Sequence, residues 1–391
     1  MFKIAVLALL LALVPFDALA RDKVINILYT GAIEGELEPC GCSPKSSSGG
    51  LARLSGYLSA NKDGLGPYLL LDAGNSMGED TPQGRLKSGV VIDSFAVMGY
   101  DAAAFFDDEA LAPDGYLVPL VDESGLPALS KTLSYPPSVE VERDSTGINI
   151  SVDAKANKKG MLNILLSDRP ASGAGHEKGW DIIILSSGEK LEEPVEADGT
   201  VVVSGYPKGE KLGVLTVTLS GDGVLSGFTH GWQTLGTEIA EDAVVRGLID
   251  EYDAKVAALL KDGERPVLSD KTYFGFGSCV DCHRPFVEKW NTTRHSGAFA
   301  TLERVGKSKD PECVRCHTTG YGEEGGFYSA TATPGLANVQ CEQCHGPGRE
   351  HLSDYAAPMA TPAEAVCLRC HTRENSPDFD YKSYREKIKH W

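Results

Sequence analysis

The chain has 391 residues, 42% of them hydrophobic, and a formal net charge of −18. That length suits two or three domains, the composition permits buried cores and argues against long disorder, and the charge argues against nucleic acid as a partner. The acidic excess lies wholly before residue 271, because residues 271–391 hold 15 Lys+Arg and 15 Asp+Glu. Eight of ten Cys and seven of nine His fall after that point, so two opposed asymmetries set a boundary near 265–272.

Residues 1–20, MFKIAVLALLLALVPFDALA, read as a secretory signal peptide. Lys3 is the positive start, Ile4 to Val14 the apolar stretch, and Ala18-Leu19-Ala20 a small-x-small cleavage site. The alternative is an uncleaved anchor helix. The expectation is an exported chain, in the periplasm or at the cell exterior, with no transmembrane span in the mature form.

Residues 21–236 read as α/β. Val24–Thr30 and Tyr68–Asp72 are apolar runs of buried-strand length, and Gly84–Gly99 has helical spacing. Strands are expected within 138–166 and at 181–186, 201–204 and 212–219. Ile239–Leu260 predicts an amphipathic helix with Val244, Leu248, Tyr252, Val256 and Leu259 on one stripe. It falls within a helical linker, residues 237–270.

The succession INILYTGAIEGELEPCGC, GGLARLSGYLS, YLLLDAGNSM, GYDAAAFFDDEA and DIIILSSGEK resembles metallophosphatases of the periplasmic 5′-nucleotidase type over about residues 24–235. The resemblance implies a sandwich fold and a two-metal hydrolase site. It also shows where this chain departs from that site. The family's Asp-x-His is Ala32-Ile33-Glu34 here, and its metal-bridging Asp is Asn75. Its Gly-Asn-His-Glu is Phe106-Asp107-Asp108-Glu109, and its Gly-His-x-His is Ser186-Ser187-Gly188-Glu189. With no histidine at these places, no phosphatase activity is expected, and a scaffold, docking or covering role remains. Cys40 and Cys42 follow the first strand as Cys-Gly-Cys. Two readings stay open for them: a local disulfide or plain thiols, and a redox pair or metal contact.

Residues 271–391 carry four pentapeptides: Cys279-Val-Asp-Cys282-His283, Cys313-Val-Arg-Cys316-His317, Cys341-Glu-Gln-Cys344-His345 and Cys367-Leu-Arg-Cys370-His371. C-x-x-C-H is the attachment signature of c-type haem: two thiols bond the porphyrin and the histidine is the proximal iron ligand. Zinc ribbons and disulfides are the rival readings, and neither requires a histidine after every second cysteine. The cofactor expectation is four c-type haems. The region is rich in Gly, Pro, Ser and Thr, with short helical stretches such as Arg284–Trp290 and Tyr381–Lys389. The macrocycles are therefore expected to form much of its core.

His295, His351 and His390 remain as distal iron ligands, which leaves one haem short of a sixth ligand. Met359, His230 or His176 are the further candidates for that place. A surface role is the alternative for any one of these histidines, His390 above all.

The run CVDCHRPFVEKWNTTRHSGAF, CVRCHTTGYGEEGGF, CEQCHGPGREH and CLRCH is similar to the cytochrome c-554 family over most of residues 273–373. That resemblance implies a mostly α or irregular fold organised around closely packed haems, an electron-carrying role, and a five-coordinate second haem on His317. It makes His295 and His351 distal ligands of haems other than their own.

Three functional expectations follow. The first is an exported tetrahaem electron carrier with redox donor and acceptor proteins as partners. The second is an enzyme acting on a small nitrogen or oxygen species at an open haem. The third is self-assembly into a filament through a distal histidine of the next copy.

Overall fold

A computed structural model describes residues 22–39, 47–106, 114–174, 177–186, 188–260, 273–373 and 375–390. Residues 1–20, Cys40, Cys42, Asp107-Asp108-Glu109, His176, Ser187 and the segment 261–270 lie outside the described residues.

The first sheet is built from β1 (Lys23–Thr30), β2 (Tyr68–Asp72), β3 (Ala102–Phe105), β4 (Ala128–Ser130), and, after a long excursion, β11 (Lys211–Leu219) and β12 (Leu225–Thr234). Its order is β12-β11-β1-β2-β3-β4, parallel from β1 to β4 and antiparallel at β11 and β12. The second sheet takes β5 (Ser138–Arg143), β6 (Thr146–Ser151), β7 (Leu162–Ser167), β8 (Ile182–Leu185), β9 (Val195–Ala197) and β10 (Thr200–Ser204) in the order β5-β6-β7-β8-β10-β9.

Alternation within strands builds the layers. On β1, Ile25, Ile27 and Tyr29 point into a core shared with Ile148, Ile164, Ile182 and Val203 of the second sheet. Leu28 points the other way, into a core with helices α1 (Leu51–Asn61) and α2 (Pro82–Met98). Opposite Tyr29 in the ladder stands Gly213, where a Cβ would meet the Tyr29 ring at 2.2 Å, so only glycine fits this register. Helix α2 begins where the Thr81 hydroxyl accepts from Gly84 N–H (3.0 Å), with Pro82 in the first turn, and stops at Gly99 with φ 75°.

The helix expected over Ile239–Leu260 is Ala243–Val256, started by Asp242, whose carboxylate accepts from Val244 and Val245 N–H (both 3.0 Å). Its buried stripe is Val245, Ile249, Tyr252 and Val256. Val244 and Leu259, expected on the stripe, are exposed. The stripe packs into the α1–α2 core, so this segment is part of the sandwich layer.

From residue 273 onward the chain forms short helices and turns. There Phe299, Leu302, Val314, Phe327 and Leu336 form a buried apolar cluster with Leu260 from the end of the preceding segment. No helix among the described residues is long and apolar enough to cross a membrane.

Candidate functional site

At the carboxyl ends of β1 and β2 the chain holds Ala32 and Asn75 in left-handed backbone (φ 56° and 54°), joined by Ala32 N–H to Gly74 O at 2.9 Å. A Cβ on Gly74 would meet the Phe106 ring at 2.8 Å, so an aromatic ring covers this corner. Ala32, Asn75 and Phe106, which the resemblance aligns with a metallophosphatase centre, thus lie together at one corner of the sheet. Behind them, buried Asp72 accepts from Thr30 and Ser76 hydroxyls and Gly74 N–H. Burial pushes its carboxyl up to about 6 against those bonds.

Each C-x-x-C-H motif starts on a helical turn, which puts positions i, i+3 and i+4 on one face. The turns belong to helices Val280–Trp290, Pro311–His317, Cys341–His345 and Glu364–Leu368. His283 breaks helical geometry (φ −122°, ψ 30°) two residues before Pro285, which offers no N–H. None of the eight cysteines of these motifs is paired in a disulfide.

Thiols of different motifs approach one another. A hydrogen bond with Cys341 raises the Cys279 thiol, and one with Cys316 raises that of Cys370. Burial pushes Cys344 up to about 11, with Cys367 nearby. The first motif therefore neighbours the third, the third the fourth, and the fourth the second.

Three pairs of imidazoles face each other. Ring centres are 6.1 Å apart for His283 and His351, 6.1 Å for His295 and His371, and 6.0 Å for His345 and His390. Two imidazoles bound on opposite sides of one metal ion, each at about 2 Å, have centres roughly 6 Å apart, so each gap fits an iron. His351 Nδ1 donates to Ala357 O (2.8 Å), His345 Nδ1 to Ala360 O (2.9 Å) and His390 Nδ1 to Ile388 O (2.9 Å), which leaves Nε2 for a metal. Burial pulls the pKa of His295 and His371 down, favouring the neutral, ligating form. Phe379 stacks on His371 at 4.8 Å and 12°.

His317 differs. Its Nδ1 donates to Ala298 O (2.6 Å) beside the Thr301 hydroxyl (3.2 Å), and among the described residues no second imidazole faces it. Met359 lines the cavity of about 230 Å³ shared by Cys279, Cys282, His283 and His351, and His230 bonds the Tyr29 hydroxyl (2.9 Å) in the sandwich. Neither stands at His317.

The helix that carries His317 is docked on the sandwich. Buried Gln83 donates to its capping residue Asp310 and to the Tyr252 hydroxyl (both 2.8 Å), and Lys87 pairs with Glu312 (2.6 Å). Lys307 bridges Asp253 (2.6 Å) and Glu38 (3.0 Å). Burial alone would raise Glu38, but Arg246 and Lys307 outweigh it and hold its carboxyl below the usual range.

Sequence reasoning missed Glu342, which is 3% exposed inside the third motif. The only signal was its place between Cys341 and Cys344.

The fold joins a sandwich that resembles metallophosphatases to a region that is similar to c-type cytochromes. Residues 278–346 match the family model "Cytochrome c554 and c-prime", and residues 334–376 match the doubled CXXCH motif. The chain is 33% identical over 102 residues to cytochrome c-554 of Nitrosomonas europaea, a match covering 22% of this chain and 43% of that relative. The chain thus spans less than half the length of the curated relative it matches. Among solved structures it resembles a 5′-nucleotidase precursor from Thermus thermophilus (TM-score 0.53, 17% identity, 73% of this chain and 68% of that one). It also resembles NAD nucleotidase from Haemophilus influenzae (TM-score 0.51, 15% identity, 65% and 64%). At these identities the likeness concerns the fold alone.

Proposed function

We propose that the protein is an exported tetrahaem c-type cytochrome that carries electrons between a donor and an acceptor protein. The observation that bears most weight is the set of three facing imidazole pairs at 6.0–6.1 Å. In this reading Cys279/Cys282, Cys313/Cys316, Cys341/Cys344 and Cys367/Cys370 attach the haems, and His283, His317, His345 and His371 are the proximal ligands. His351, His390 and His295 close the sites of His283, His345 and His371.

Haem iron supplies a one-electron couple when bound. The chain's own part is to hold the sites close and keep their coordination fixed. Nδ1–carbonyl bonds lock several of the rings, so redox change need not move them. The thiol neighbours favour a path from the His283 site through those of His345 and His371 to that of His317. A pyridine haemochrome assay is expected to give four c-type haems per chain, and fewer would sink the proposal.

The unfaced His317 favours a second reading, in which a small nitrogen or oxygen species binds at that haem. Electron paramagnetic resonance is then expected to show one high-spin ferric haem beside three low-spin ones. A wholly low-spin spectrum would remove this reading. His390 faces His345 within the same chain, which supports ligation inside one copy over ligation between copies. His390→Ala is accordingly expected to add a high-spin signal while its size-exclusion profile stays that of wild type.

A further inference from the structure

Glu342 is a carboxylate sealed inside the cytochrome region. Its Oε2 accepts from the backbone N–H of Phe274 (2.9 Å) and Gly275 (2.7 Å), and its Oε1 from Gly348 N–H (2.7 Å). Both oxygens are thus used as acceptors, toward three donors, which is the pattern of an ionised carboxylate. These donors lie on two segments. Phe274 and Gly275 lead into Cys279 and His283, while Gly348 closes the Gly-Pro-Gly turn that leads to His351. One side chain therefore ties together the approaches to both histidines of a facing pair.

The carboxylate also lines the cavity shared by those histidines. A charge in a low-dielectric wall acts strongly on a neighbouring group whose own charge changes. A ferric haem carries one more positive charge than a ferrous one, so a fixed anion beside it favours the ferric form.

We propose that Glu342 is a built-in negative charge that lowers the reduction potential of the haem held by His283 and His351. The proposal rests on the reading that these two histidines share one haem. A mere backbone clamp would organise the same turns without moving the potential.

The test is a redox titration of the holoprotein followed by optical and paramagnetic resonance spectra. Glu342→Gln keeps the size and removes the charge, although its amide N–H₂ then faces one of the backbone N–H donors that Glu342 accepts from. It is expected to move one low-spin haem toward reduction by about tenfold in equilibrium, roughly 59 mV for one electron. Glu350→Gln, an exposed change in the same turn, is expected to move it less than about twofold because solvent screens that charge. Glu342→Asp keeps the charge and is expected to stay within about twofold of wild type. A Glu342→Gln protein with its full haem complement and an unshifted titration overturns the proposal. So does a tenfold shift in Glu342→Asp, which keeps the test decisive if Glu342→Gln fails to assemble. Failure of the underlying reading is separately visible, as a wild-type haem count below four or a missing low-spin signal.

Discussion

The two halves of this molecule solve the problem of a core by opposite means. The sandwich fills the space between its sheets with Ile25, Ile27, Leu69, Leu71, Ile148, Ile164 and Ile184, all fully buried. Among the described residues, the second half holds one small apolar cluster and a few further buried apolar side chains such as Val287 and Trp290, and otherwise arranges cysteines, imidazoles and backbone carbonyls around gaps. One half is organised by its own side chains, the other by what those side chains are placed to hold.

The sharpest way to break that comparison is to withhold haem. In a chain produced without haem attachment, hydrogen exchange is expected to show residues 23–256 protected and residues 273–390 largely unprotected. Equal protection of both would mean that the second half has a core of its own. Leu71→Ala, in the core between the sheets, is expected to cost about 2–5 kcal/mol in denaturant unfolding of the sandwich while the haem spectra stay as in wild type. A changed Soret band would show that the two halves are not independent.

The smaller effect is one of pH. The folded-state carboxyl of Asp72 is raised from 3.8 to about 6, so the folded form binds more protons than the unfolded form in that window. Its contribution is full below pH 3.8 and is lost as pH rises through about 6. The loss is on the order of 2–3 kcal/mol for one group. Asp72→Asn is expected to flatten that part of the sandwich's stability curve, and an unchanged slope would reject the assignment.

Legibility divides along the same line. Tyr68–Asp72 is readable because a strand buried on both faces must be a continuous apolar run. β3 escapes because three of its four residues are alanines, with no pattern to set them apart. The stripe of helix Ala243–Val256 is read correctly at Tyr252 and Val256 but one position early at its start, where Val244 and Val245 are equally apolar. In the other half the C-x-x-C-H motifs are plain, since haem attachment would fix that spacing. Which imidazole faces which is not, because those partners come from distant stretches of chain. Glu342 shows the same limit: nothing local marks it as buried, since the three N–H groups around it arrive from both sides of the third motif.

The facing histidines have a topological consequence. The spans they close run from His283 to His351, from His295 to His371 and from His345 to His390, and each overlaps another. If iron joins each pair, the region becomes a set of interleaved cross-links, each shrinking the freedom of the unfolded chain across a long loop. Because the loops share chain, cutting one lengthens the slack available to its neighbours. Such a region should come apart as a whole, so that losing a single axial ligand loosens sites it never touches.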